Sequence, residues 1–415
     1  MHENRLFNFN FILLLQGLLV SQLGSTIYFV TIAIWIKDNT SSAATMGLLG
    51  VATFLPSIII GPIAGAFVDR WSRKKTIVFC DFICGIVPIV IAYLMIFHPE
   101  EKTIIVYSLF LAAIISSIMS SFFRPAVLAS IPNLVSKKHI IQANGLINSS
   151  FNLSVVIGQA LTGILIVFIS APLLVLINGA SYIFSAFTEC FIRFDNKKKS
   201  DIETNKNSKN LINELLEGLK YFQSVNGLFP IVLTYSGFIF FSSAVVIGLP
   251  YYVEIQLNQT KEWFGYLMAT TGVGLLLGSL LVVTPLFKAL DKSQVIIYSI
   301  LISGVSLLVF AVTTSTSVAV IMSIIRGCVF GLLSAWLPSI IQLVSPEYLR
   351  GRTLAIFSSF TTAALPLGYI LSGLLIDFFE HNTKIVYFSC GLFTIVSVLP
   401  LMINANFKQL VRSNN

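Results

Sequence analysis

Twelve stretches of this chain are long enough to cross a membrane and carry almost no charge. They cover residues 11–36, 43–68, 76–97, 104–123, 141–169, 171–194, 228–253, 263–287, 294–312, 318–343, 353–376 and 384–403. A helix needs about 20 apolar residues to cover the roughly 30 Å hydrocarbon core of a bilayer. In lipid every backbone N–H and C=O must find its partner inside the protein. Each run therefore predicts one transmembrane helix, and the chain reads as an all-α membrane protein of twelve spans. Composition closes off the alternatives. Hydrophobic residues make up 56% of the chain and charged residues 11%, against about 25% charged in a typical soluble domain. A soluble enzyme is excluded, and so is a disordered chain, which needs low hydrophobicity. The first run follows Arg5 much as a signal peptide would, but its apolar stretch is too long and no small-x-small cleavage site closes it. It counts as the first span.

Lys and Arg set the orientation. With the N-terminus inside, the cytoplasmic segments carry 21 of them and the opposite side 4 (Lys37, Lys102, Lys261 and Lys384), with Arg326 left inside a span. Both termini are expected in the cytoplasm and the protein in the cell membrane. The formal net charge of +8 is distributed among short loops, so its expected partner is the bilayer surface. Nucleic acid is not expected as a partner, since no basic soluble module interleaved with aromatics exists. Cys80, Cys84, Cys190, Cys328 and Cys390 all lie in apolar runs with no His beside them. They read as small packing residues, and neither metal nor cofactor is expected.

The longest polar stretch, Asp195 to Asn210, reads DNKKKSDIETNKNSKN and predicts a solvated linker. Leu211, Leu215, Leu219 and Phe222 follow it at helical spacing, as in a helix lying on the inner membrane surface. This divides the chain into an N-terminal six-helix bundle (1–195), a cytoplasmic linker with an amphipathic helix (196–226) and a C-terminal six-helix bundle (227–415). The halves repeat. LVSKKHIIQANGLINSSF from Leu134 aligns with LVSPEYLRGRTLAIFSSF from Leu343, an offset of 209 residues that matches Ser149-Ser150-Phe151 to Ser358-Ser359-Phe360. Two parallel six-span halves joined inside the cell are a transporter design.

The loop after the second span reads Gly65-Ala66-Phe67-Val68-Asp69-Arg70-Trp71-Ser72-Arg73-Lys74-Lys75. It resembles the G-x-x-x-D-R-x-x-R-K signature of the major facilitator superfamily. Within that superfamily the chain is most similar to macrolide efflux proteins and related drug or siderophore exporters. The residues carrying this second resemblance are Ser21-x-x-Gly24-Ser25-x-x-Tyr28, Asp81, and Pro346-Glu347-Tyr348-Leu349-Arg350-Gly351-Arg352. Gly65 permits close helix approach. Asp69, ending a helix, suits the positive N-terminal end of another, which the resemblance implies is span eleven, starting near Thr353. It further implies that Arg70, Arg73, Lys74 and Asp81 complete a charge cluster locking the halves in the outward-open state. Two signatures depart from the drug antiporter pattern. Ser116 stands where such antiporters carry an Arg in span four. The span-five motif reads Ser154-x-x-x-Gly158-Gln159-x-x-Thr162-Gly163, without its proline.

An ionisable side chain at mid-bilayer costs at least about 2.5–3.5 kcal/mol and is functional by default. Arg326 is the clearest case and reads as a substrate or coupling residue, the alternative being a bridge to carbonyls or to one acid. Asp81 is assigned to the cytoplasmic cluster, with proton carriage as the alternative. Glu189 has Arg193 four residues on, a favourable helical pair. His2, His98, His139 and His381 lie in loops or at edges, which excludes a His relay within the membrane. Gln22, Thr26, Asn148, Asn152 and Gln159 are candidates to line a substrate cavity, with Tyr235, Phe238 and Trp336 to stack on an apolar substrate. Gly272-x-Gly274-x-x-x-Gly278 reads as helix packing. No G-x-x-x-x-G-K-[ST] occurs, so an ion gradient is the expected energy source. The chain is thus expected to be a monomeric, proton-coupled exporter of small amphipathic molecules such as macrolide-like drugs, working by alternating access. The alternatives are a siderophore or lipid exporter, or a receptor or scaffold that retains the fold.

Overall fold

A computed structural model describes residues 6–68, 71–193, 225, 227–282, 284, 287, 290–346 and 349–403. Asp69, Arg70, the 194–210 linker, the helix expected near 211–222 and residues 404–415 lie outside them. Twelve helices among the described residues are long and apolar enough to span a membrane. They are α1 (Phe9–Thr40), α2 (Ala43–Val68), α3 (Arg73–Phe97), α4 (Lys102–Leu134), α5 (Ile140–Phe168), α6 (Ala171–Glu189), α7 (Leu228–Gln256), α8 (Glu262–Leu281), α9 (Lys292–Val312), α10 (Thr316–Val344), α11 (Arg350–Phe378) and α12 (Thr383–Ile403). Large apolar side chains such as Ile59, Phe79, Tyr107, Phe168, Leu280 and Phe378 stand exposed along them. On a soluble protein such a surface would aggregate; in lipid it meets its own kind.

Most helix ends match the apolar runs within a few residues, and α4 is the exception. It continues through Arg124 and Pro125 to Leu134, where polarity and a proline suggested an end. The added turns are amphipathic. Ala126, Val127, Ser130, Ile131 and Leu134 are buried, and the Asn8 amide donates to the terminal Leu134 carbonyl at 2.6 Å. Buried apolar contact outweighs the hydrogen bond that a proline removes.

Two compact units are present, one within Met1–Ser41 and Leu49–Thr204, the other within Ser42–Leu48 and Asn205–Asn415. In the first, α3 packs against α6 and α4, and α1 against α5 and α6. In the second, α9 packs against α12, α7 against α11, and α8 against α10. The internal repeat recurs in these pairings. Moving α5 along by the 209-residue offset places it within one residue of α11 at both ends. Gly85 meets Gly179 where α3 crosses α6, and Gly304 meets Gly391 where α9 crosses α12.

The opening turn of α2 belongs to the second unit for a local reason. Its unpaired N–H groups are capped by Asp377 of α11, whose carboxylate accepts from Ala43 N at 2.7 Å, Ala44 N at 3.0 Å and Ser42 Oγ at 2.8 Å. A carboxylate at a helix N-terminus is favoured both by these orphan donors and by the helix dipole. Gln256 is the equivalent polar knot at the end of α7. Its amide donates to the carbonyls of Phe310, Ala311 and Thr313 at 2.9–3.1 Å.

Candidate substrate and coupling sites

Within the first unit, α1, α2, α3, α4, α5 and α6 enclose a cavity of about 620 Å³, a size typical of small-molecule sites. Leu18, Phe54, Met119, Phe123 and Phe151 give it apolar walls, and Ser21, Gln22, Ser116, Asn148 and Tyr182 give it hydrogen-bonding groups. It has two charged lining residues, Arg124 and Asp81. Arg124 is exposed, whereas Asp81 is 2% exposed and its Oδ2 has no hydrogen-bond partner. Gly158 fits α5 closely against Thr26 and Leu23 of α1. Ser25 and Tyr182 join α1 to α6 through their hydroxyls at 2.7 Å.

The second unit holds Arg326. It is the eleventh residue of the 29-residue α10, half-buried, near the break where α7 changes pitch at Ser243. There the Val246 N–H bonds the Ser243 carbonyl at 3.1 Å, and the Ser242 carbonyl accepts from Arg326 Nη2 at 3.4 Å. Discontinuous helices of this kind mark binding regions in transporters. The guanidinium carbon sits 5.9 Å from the centre of the Phe310 ring, within cation–π range. Nη1 is buried without a hydrogen-bond partner. Of the two structural roles expected for Arg326, the carbonyl contact is present. Among the described residues no acid pairs with it.

The remaining predicted residues separate into three groups. Gln22 and Asn148 face the cavity, and Ser116, singled out as the substitute for a span-four Arg, faces it with them. Thr26 is instead buried against Gly158, its hydroxyl turned back to the Gln22 carbonyl at 3.0 Å, and Gln159 is half-buried on α5. Tyr235, Phe238 and Trp336 lie in the packed core of the second unit. Tyr235 stacks on Phe238 and on Phe357 at 5.8 and 5.6 Å, so their rings serve packing there. The side chain of Asn152, like Asp69 and Arg70, is outside the described residues. Gly65 lies in α2, and Arg73 and Lys74 open α3. Asp81 is buried on α3 and shares its electrostatic surroundings with Glu189, while Asp69 and Arg70 of the cluster expected for it lie outside the described residues. Glu189 in turn does not pair with Arg193, which is exposed; it is 1% exposed and both carboxylate oxygens lack hydrogen-bond partners. The helical spacing of Glu189 and Arg193 concealed that α6 ends between them. Among the described residues no cluster of three or more His, Cys, Asp and Glu is arranged to hold a metal.

Twelve membrane helices in two repeat-related units define a membrane transporter of the major facilitator type. The chain belongs to the transmembrane secretion effector family of that superfamily, whose profile matches residues 6–411. It is 25% identical over 390 residues to macrolide efflux protein A of Streptococcus pyogenes, covering 93% of this chain and 94% of that protein. It is 22% identical over 375 residues to the multidrug efflux pump Tap of Mycolicibacterium fortuitum, covering 88% and 89%. In fold it is similar to the nucleoside transporter NupG (TM-score 0.75, 13% identity, 95% and 98% covered) and to a D-xylose–proton symporter (TM-score 0.71, 14% identity, 97% and 98% covered). The protein is a multi-pass membrane transporter and not an enzyme.

Proposed function

We propose that this protein is a secondary active exporter of amphipathic small molecules of the macrolide-like kind, driven by the proton gradient across the cell membrane. The observation that carries the reading is the cavity of the first unit, where Phe54, Phe123 and Phe151 offer apolar surface beside the hydrogen-bonding Gln22 and Asn148. A molecule with a greasy body and a polar edge matches both halves of that lining. The extended similarity to efflux proteins supports the direction of transport. A proton falling through 100 mV releases about 2.3 kcal/mol, which sustains roughly a fiftyfold substrate gradient. The 21 to 4 bias of Lys and Arg supports cytoplasmic termini, and the protein acts as a monomer divided into bundles 1–195 and 227–415 by its linker. Arg326 favours a second substrate class, lipids or siderophores bearing an anionic group, because a guanidinium with an unpaired Nη1 matches a carboxylate or phosphate.

Expression in a drug-sensitive host should lower steady-state accumulation of a macrolide or an amphipathic dye, and a protonophore should restore it. Asp69→Asn should remove most of this efflux while the purified variant still binds the same compound, because the loop motif acts on the conformational cycle and not on the cavity. Loss of binding with a normal conformational cycle contradicts that role, and unchanged accumulation of every compound contradicts export.

A further inference from the structure

Two carboxylates are buried in the first unit with no cation paired to them among the described residues. Asp81 is in the third turn of α3, and Glu189 is the last residue of α6, the helix that packs along α3. They are 2% and 1% exposed. Their electrostatic neighbourhood is shared: Asp81 acts on Glu189, both act on Cys80, and the Ser185 hydroxyl is the polar group near both. Among the described residues Asp81 Oδ2, Glu189 Oε1 and Glu189 Oε2 have no hydrogen-bond partner of good geometry, the Ser185 hydroxyl lying close enough to serve one of the two carboxylates at a time. Gly17 of α1 makes the room. A Cβ there would come within 2.7 Å of Ser185 Oγ and 3.2 Å of Glu189 Oε1.

The described groups around the pair come from four helices. α3 contributes Cys80 and Cys84, α6 contributes Tyr182 and Cys190, α4 contributes the exposed Arg124 on the cavity wall, and α1 contributes only neutral groups, Gln16 among them. Among the described residues no cation pairs with either carboxylate. An unpaired ionised carboxylate in a low-dielectric interior is among the most expensive groups a protein can hold, and two that feel each other's charge there favour binding a proton. Asp81 also lines the cavity, which gives the pair a route to water.

We propose that Asp81 and Glu189 together bind the coupling proton, with Asp81 receiving it from the cavity and Glu189 sharing it behind. The step is a plain protonation. A carboxylate takes H⁺ from water on one side of the membrane, becomes a carboxylic acid, and returns H⁺ to water on the other side. This rests on the reading of the chain as a gradient-driven exporter, but its first test does not. Infrared difference spectra of the purified protein in lipid, recorded across a pH titration in H₂O and D₂O, should show the C=O band of a buried carboxylic acid. The band should change in Asp81→Asn and in Glu189→Gln. Absence of such a band throughout the titration, or a band unaltered in both isosteric variants, overturns the proposal. In vesicles, each variant should lose uphill, pH-driven accumulation while retaining substrate exchange at equilibrium. Undiminished pH-driven accumulation in both overturns the proposal as well. A wild type that moves no substrate would instead count against export, with the spectra still deciding the pair. Should a variant fail to fold, the wild-type titration alone decides: a titrating buried acid supports the site, and its absence refutes it.

Discussion

Arg326→Ala should abolish gradient-driven transport while the protein still inserts and runs as a single species in detergent. The side chain lies near the middle of a membrane helix. Its attachments are one long contact to the Ser242 carbonyl and the face of Phe310, too little to account structurally for a mid-membrane cation. Its buried Nη1 has no hydrogen-bond partner among the described residues, which leaves a donor that an anion could take. Because so few native bonds are lost, the alanine variant should keep most of its stability, unlike the about 3–5 kcal/mol expected when one partner of a buried ion pair is removed. Lys retains the charge but not the planar fork. Arg326→Lys should therefore keep partial transport if charge alone matters and little if two-point binding matters. Transport assays on vesicles, paired with thermal melts, check both. A stable and fully active alanine variant shows that this charge has no part in transport.

Gly278→Val and Gly327→Val should prevent the second unit from assembling. Here α8 and α10 touch backbone to backbone. A Cβ at Gly278 would fall on the Cys328 carbonyl, one at Gly327 on the Thr271 carbonyl, and one at Gly331 on the Leu275 carbonyl. Without a hydrophobic drive between helices in lipid, close packing of small residues is what joins them. The obstructing atoms are backbone and cannot rotate aside, so each substitution is expected to cost at least about 3 kcal/mol, the upper end for overpacked sites. Gly61→Ala and Gly145→Ala, where an added Cβ meets nothing within 4 Å, should be nearly neutral. Size-exclusion profiles and melting temperatures of the four variants compare them directly. Normal profiles for both valine variants contradict the packing argument.

The spans and the repeat were legible in the sequence because lipid imposes one rule on every residue of a crossing. Charge is kept out over about 20 positions, and Lys and Arg collect where the chain emerges. The α8 glycine pattern was legible for the same reason, as small residues at spacing four can only face a neighbour. Side-chain partners were not. Tyr235, Phe238 and Trp336 have the composition of a binding site, and only three-dimensional packing reveals that their rings are enclosed by the core. Glu189 and Arg193 are separated by one helical turn in sequence, but α6 stops at Glu189, so the expected pair cannot form. Asp81 follows a basic loop closely, which suggested membership of the loop's charge cluster; that it lies 2% exposed and beside Glu189 needed the packing of α3 on α6 to be seen. The break in α7 left one faint trace, the adjacent Ser242 and Ser243, whose hydroxyls can bond back to the helix.

Transport by purified protein in lipid vesicles tests the account most directly. Vesicles are loaded separately with macrolides, amphipathic dyes, siderophores and lipids, and a pH gradient is imposed. The account predicts that at least one amphipathic compound moves against its own concentration gradient, that movement stops when the pH gradient is collapsed, and that protons cross in the opposite direction with it. Transport of no compound, or movement of every compound only down its own gradient and indifferent to pH, would contradict it.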